Sequence, residues 1–279
     1  MKKVMTWILA LALTFSLAGC STNSASDPTN TQPVTETVEN KEITISIQSF
    51  EENGIDATPM EKTGTFSGTL VDGVPSGEGT FKSQNSEGET WTYSGNFENG
   101  TFNGQGTTVW SDYEQSGTYT DGLFTPTKRE FFAHASYGHY GHYKLTDDAI
   151  AYLDAHPDFF PATTEETISA VKNAVDSSIT YPMLTKSVAN NSSALIHIDN
   201  VTVGQIFESG FVGHTLTSAL LIDSDYNYYQ LVYDGALPDV LENDVVTVDA
   251  LPIASSHFDN IGGGITNVIV VAGAHVQKV

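Results

Sequence analysis

Residues 93–106 read Tyr-Ser-Gly-Asn-Phe-Glu-Asn-Gly-Thr-Phe-Asn-Gly-Gln-Gly. Their glycines recur elsewhere in register. Upstream, Phe66-Ser67-Gly68 is followed by Gly73 and then by Gly77-Glu78-Gly79. In the quoted stretch Tyr93-Ser94-Gly95 is followed by Gly100 and by Gly104-Gln105-Gly106. Downstream, Gln115-Ser116-Gly117 is followed by Gly122. A fixed spacing of this kind marks a repeat architecture. Gly73, Gly100 and Gly122 follow Asp72, Asn99 and Asp121. Asp-Gly and Asn-Gly between short alternating runs mark tight hairpin turns, because such turns need positive φ at both central residues. The spacing therefore predicts stacked β-hairpins, each marginal alone and stabilised by its neighbours. The longer first interval is absorbed by polar residues 83–89, expected in a loop. Ile43, Ile45 and Ile47 alternate with Thr44 and Ser46, as in a strand entering the array.

These residues resemble the MORN repeat, a hairpin repeat with a Tyr-x-Gly start and a Gly-x-Gly close. Two units fit well. The third departs, with Gln115 in place of the aromatic residue and Leu123-Phe124-Thr125-Pro126 in place of Gly-x-Gly. Terminal repeats are often atypical caps. The resemblance implies scaffolding, partner binding or lipid association rather than catalysis.

The N-terminus reads MKKVMTWILALALTFSLAGC over residues 1–20. Lys2 and Lys3 precede an apolar stretch too short for a comfortable transmembrane helix. Leu17, Ala18 and Gly19 before Cys20 resemble the lipobox of bacterial lipoproteins. That resemblance implies cleavage before Cys20 and acylation of its thiol, which fixes the chain to the outer face of a cell membrane. Residues 20–40, rich in Ser, Thr and Asn, are expected to be a flexible tether.

The chain is acidic, with 11 Lys+Arg against 34 Asp+Glu and a formal charge of −23. Both the array region and the C-terminal half share the excess. A phosphate backbone would be repelled, so nucleic acid is excluded as a partner. Cys20 is the only cysteine, so no intramolecular disulfide and no cysteine-based metal cluster can form.

Residues 128–177 are read as an aromatic- and histidine-rich helical connector. Thr146 followed by Asp147 and Asp148 marks a helix start, and Pro157 a stop. Thr163 and Glu166 have capping-box spacing before Ile168, Val171 and Val175. His134, His139 and His142 are the one candidate metal-ligating set. Gly138 and Gly141 make a loop there, and packing of the array on the next domain is the plainer role for these side chains.

Residues 178–279 turn to β pattern. Strands are expected over 194–203, 215–223, 228–233, 245–248 and 268–271, with a turn at 223–227 and a glycine run at 262–264. Five strands with an insert between the third and fourth fit an OB-like barrel. Residues 241–248, together with Gly262-Gly263-Gly264, resemble an OB-like module of Gram-positive surface proteins, and Thr146–Ile150 with Phe160-Pro161 resemble its helical lead-in. Asp223-x-Asp225-x-Asn227 imitates a calcium loop, but Tyr228 stands where that loop needs Gly, and a polar hairpin turn accounts for it.

The expected organisation is a lipoprotein signal over 1–19, a lipidated tether over 20–40 and a β-strand plus repeat array over 41–127. The connector over 128–177 and the barrel over 178–279 follow. No nucleophile elbow, phosphate loop or zinc-protease helix is present in the sequence, although His142, His197 and His257 are candidate general bases. The reading calls for no cofactor. It favours a membrane-anchored binding or scaffold module for protein or cell-envelope polymer partners. Extracytoplasmic metal binding and an envelope hydrolase are the alternatives.

Overall fold

The computed structural model describes residues 32–110, 114–137, 143–259 and 263–279. Residues 34–279 form one compact unit. The signal segment, Cys20 and most of the tether lie outside the described residues.

The fold is mainly β. Seven strands form the first sheet: β1 (Thr35–Phe50), β2 (Ala57–Val71), β3 (Val74–Gln84), β4 (Thr90–Glu98), β5 (Thr101–Val109), β6 (Glu114–Thr120) and β7 (Leu123–Phe124). They pair antiparallel in sequence order. The three expected turns are all present. Asp72 and Gly73 have φ of 51° and 84°, Asn99 and Gly100 52° and 84°, Asp121 and Gly122 48° and 85°. These are the paired positive values a two-residue hairpin turn requires. Gly77 and Gly104 also have positive φ. Each sits where the ladder shifts register, just beyond the Gly68↔Gly79 and Gly95↔Gly106 pairs. The first glycine of each Gly-x-Gly is thus a bulge residue.

The hairpin turns also touch one another, which curls the sheet. Gly100 N–H donates to the Pro75 carbonyl at 3.2 Å, and Gly122 N–H to Phe102 at 2.9 Å. Gln48 N–H donates to Gly122 at 3.3 Å, and the Thr101 hydroxyl to Ser46 at 2.6 Å. The curl brings the first strand against the last turns.

β1 begins at Thr35, inside the stretch expected to be tether. Its first residues are exposed and pair with β2 through the backbone, Thr35 opposite Val71. Backbone pairing leaves no trace in composition, which is why the polar sequence read as coil.

The chain then forms α1 (Lys128–His134), α2 (Asp147–Ala155), α3 (Glu165–Asn173) and α4 (Tyr181–Lys186). Thr146 caps α2 by accepting from Ala149 N–H at 3.1 Å. For α3 the cap is Thr164 paired with Thr167, not Thr163 with Glu166. The Thr167 hydroxyl accepts from the Thr164 N–H and donates to the Thr164 carbonyl, so the box moves by one residue.

The last five strands are β8 (Ile196–Phe211), β9 (His214–Ile222), β10 (Tyr228–Asp234), β11 (Val245–Asp259) and β12 (Ile265–Lys278). They close into a barrel in the order β10-β12-β11-β8-β9, with only β10 and β12 parallel. The five-stranded barrel is as expected, but three strands are much longer than predicted. The β8–β9 turn at Val212 and Gly213 carried no turn signal, since a β-branched residue rarely accepts the φ of 45° found at Val212. Residues 178–195, assigned to the barrel, instead hold α4 and a short 3-10 turn. Asp223 organises the β9–β10 turn by accepting from Asp225 and Asn227 N–H at 2.9 and 2.8 Å. Asp234 lies in β10, bound to Lys128 and His214, and takes no part in this turn.

Barrel side chains alternate between two cores. Val203, Leu221, Leu231, Val248, Ile269 and Val271 fill the interior, plugged by Leu184 and Val188. Leu220, Val232, Ile253, Val270 and Ala272 point outward, yet are buried in the same cluster as Phe131, Leu153, Phe160 and the array aromatics. Both faces of these strands are covered, which explains the continuous apolar run 268–272. Array, connector and barrel therefore share one core rather than standing as separate modules.

Two further ties cross this join. The carboxylate of Asp234 is 3% exposed, receives Nδ1–H of His214 at 2.8 Å, and is paired with Lys128 of α1. Burial works to raise the Asp234 pKa, but hydrogen bonds from His214 and Lys128 outweigh it and hold it below the ordinary value. In addition, the β1–β2 turn sits on the β8–β9 hairpin. Gly213 N–H donates to the Gly54 carbonyl at 2.8 Å. A Cβ on Gly210 would fall 1.5 Å from the Asn53 carbonyl oxygen.

Gly210→Ala must therefore push the two turns apart. It is expected to cost about 2 kcal/mol, in the range of overpacked sites, as a lowered urea midpoint of the 34–279 unit. An unchanged midpoint would show that this turn-to-turn contact is not tight.

Candidate functional site in the curled repeat sheet

The concave side of the curl is lined by aromatic rings. Phe66 and Tyr93, the aromatics that open the two good units, are fully buried. Each lies across a cross-strand glycine pair. A Cβ on Gly68 or Gly79 would meet the Phe66 ring at 2.7 or 2.6 Å. A Cβ on Gly106 would fall 2.4 Å from the Tyr93 ring and hydroxyl. The motif glycines thus do two jobs: Gly73, Gly100 and Gly122 turn the chain, while Gly68, Gly79, Gly95 and Gly106 clear a floor for a ring.

The rings then pack on one another. Tyr93 stacks on Phe102 with centroids 3.7 Å apart and planes at 12°. Phe97 meets Phe66 edge-on at 5.0 Å and Tyr93 at 5.3 Å. The Tyr93 hydroxyl donates to Asn96 O at 2.9 Å. Burial raises its pKa, aided by the nearby Tyr119 and Glu78, so it remains a donor. Phe81, Trp91, Phe97 and Phe102 were not picked out from sequence. Trp91 and Phe97 alternate with Tyr93 along β4, which was the available signal for them. Phe81 and Phe102 join through cross-strand pairing, Phe81 opposite Phe66 and Tyr93, and Phe102 opposite Phe97.

The third unit replaces the ring by another group. Its glycine, Gly117, pairs with Gly106, and Gln115 supplies no aromatic. The carboxyl of Glu130, from α1, takes the space instead, 2.7 Å from where a Gly117 Cβ would stand. Glu130 accepts from Thr118 N–H at 3.2 Å and from Thr127 N–H at 2.8 Å. Burial acts to raise its pKa, but hydrogen bonds from Thr127 and Thr118 prevail and hold it below the usual glutamate value. α1 is thus the cap of the array, carrying buried Phe131 and Phe132 into the common core.

His134 ends α1. It is buried, with Nε2–H directed at the Ser116 carbonyl at 2.9 Å and its ring edge-on to Phe124. This is a packing contact, the plainer of the two roles the sequence offers for His134. His139 and His142 lie outside the described residues. Among the described residues no group of three or more His, Cys, Asp or Glu side chains is placed to hold a metal ion. Of the candidate bases, His197 pairs through Nδ1 with buried Asp249 at 2.6 Å. His257 lies opposite Asn267, eight residues from Asp249 along β11 and so roughly 26 Å away. The structure does not bring the two together. Cys20, Leu17, Ala18 and Gly19 lie outside the described residues.

Beside the aromatic floor the curl leaves a recess of about 250 Å³. Trp91, Trp110 and Phe50 line it together with Gln48, Gln115 and Lys62. The Gln48 side-chain amide is held by donation to the Asp121 carbonyl at 3.1 Å.

The hairpin array with ring-bearing glycine pairs is the geometry of a MORN-type sheet. The family model of the MORN repeat matches residues 66–87 and 93–115, so the chain carries MORN repeats over these two units. No curated protein and no solved structure gave a match to the chain.

The folded pKa of Glu130 lies below the unfolded one. Its contribution is therefore complete above the ordinary glutamate range and is lost as pH falls through the folded value. Glu130→Gln is expected to cost about 2 kcal/mol at neutral pH, as for hydrogen bonds to a charged group. It should also lose less further stability than wild type between about pH 5 and pH 3. Urea titrations at these pH values check it, and an acid dependence equal to wild type would contradict it.

Proposed function

We propose that this chain is a membrane-anchored extracytoplasmic binding module, fixed by a lipid on Cys20, that presents the curled repeat sheet to a protein or cell-envelope partner. The observation that carries the binding role is the aromatic recess in that sheet, where rings and a few oriented polar groups converge. Such a combination is the usual make-up of a ligand site. The MORN match over residues 66–115 supports it, since that repeat is associated with protein or membrane binding.

The anchor rests on Leu17-Ala18-Gly19-Cys20 after a basic and apolar leader. Two or three acyl chains on one residue hold a protein at a bilayer, whereas a single chain does so only marginally. The bacterial-lipoprotein reading belongs with this proposal, as does kinship of the barrel with the OB-like module of Gram-positive surface proteins. Among the described residues no helix is long and apolar enough to cross a membrane. The formal charge of −23 keeps the folded unit off anionic headgroups. The fused core supports the role too, because a recess held between rigid elements needs little ordering on binding.

Cys20→Ser tests the anchor. Wild-type chain expressed in a Gram-positive host is expected to incorporate labelled fatty acid and to sediment with membranes. The variant should incorporate none and appear in the soluble fraction. Equal membrane retention of an unlabelled variant would contradict the reading.

A further inference from the structure

We infer that the recess in the curled sheet is a site for one neutral sugar ring. The inference deepens the binding role proposed above and rests on it. Size is the first argument. At about 250 Å³ the recess lies just below the about 300–1,000 Å³ range of sites for drug-sized ligands, so it suits a single ring rather than a long segment.

Lining chemistry is the second argument. Trp91, Trp110 and Phe50 offer flat apolar surfaces, against which the C–H faces of a pyranose can lie. Gln48 and Gln115 offer amides, and an amide both donates and accepts, as a ring of hydroxyl groups demands. An apolar acyl chain would make no use of the hydrogen-bonding capacity these amides keep beyond the Gln48 donation to Asp121.

Charge is the third argument. The chain has 34 acidic residues, yet among the described residues none lines the recess and Lys62 is the only charged side chain there. A cation would find no carboxylate. An anion would meet one lysine within a strongly negative protein. A neutral polyhydroxylated ring is what remains, with Lys62 as a further hydroxyl donor.

The tryptophans make the test specific. The chain has three, Trp7, Trp91 and Trp110, so in the 34–279 unit, which contains both hydrophobic cores, every tryptophan lines the recess. Glucose, galactose, N-acetylglucosamine and cellobiose are titrated against its emission, with decanoate in parallel. At least one sugar should give a saturable change. Trp110→Ala and Gln115→Ala, each checked for wild-type circular dichroism, should weaken it tenfold or more. A flat response to all four sugars would overturn the inference, as would saturation by decanoate alone or a midpoint unchanged in both variants. If Trp110→Ala does not fold, Gln115→Ala and Lys62→Ala decide the matter. A flat response with normal Cys20 labelling rejects the sugar and leaves the anchor standing.

Discussion

The ring of Tyr93 lies across a strip of backbone that has no side chains. A single Cβ on Gly106 would stand 2.4 Å from its hydroxyl oxygen. Phe66 makes the same demand of Gly68 and Gly79. This exclusion of Cβ atoms sets the structure of the array. Rings laid flat let successive hairpins approach and bury aromatic area that no single hairpin could cover. The same closeness brings the turns into contact and curls the sheet. The recess follows, because a curled sheet has a concave face. So does the need for a cap, because Gln115 brings no ring to the last glycine strip, and the Glu130 carboxyl covers Gly117 beside the edge of Phe124.

That cap is where the array stops being a separate object. α1 places Glu130 against Gly117 and turns Phe131 and Phe132 into the cluster shared with the outer face of the barrel. Asp234 draws Lys128 of the same helix to the barrel wall. The two-turn contact at Gly54 and Gly210 closes the other side. A carboxylate buried in this way is costly unless fully paired, and both Glu130 and Asp234 are. The connector is thus a wedge, and its residues are fixed from both sides.

Much of this was legible in sequence for a physical reason. Asp-Gly and Asn-Gly turns and glycine pairs are local constraints, so they show in the residues themselves. The barrel interior showed as alternation and apolar runs. Contacts made by backbone, or by residues far apart in the chain, did not show. The exposed start of β1 looked like coil because its pairing uses only N–H and C=O groups. The Val212–Gly213 turn has a residue that local preference argues against, and tertiary packing overrides that preference. Thr127 and Glu130 have capping-box spacing that marks the start of α1, but the reach of Glu130 to Gly117 and Thr118 in another element leaves no local pattern. Of the recess, the repeat units and the entering strand that contribute to its walls were visible; the convergence of Trp91, Trp110 and Phe50 depends on the curl.

The central claim is that array, connector and barrel fold as one body. Urea unfolding of the 34–279 unit followed by two probes tests it most directly. Emission from Trp91 and Trp110 reports the array, and amide exchange along β11 and β12 reports the barrel. A shared core predicts coincident transitions with a single midpoint. Loss of the tryptophan signal at clearly lower urea, with the barrel amides still protected, would contradict it.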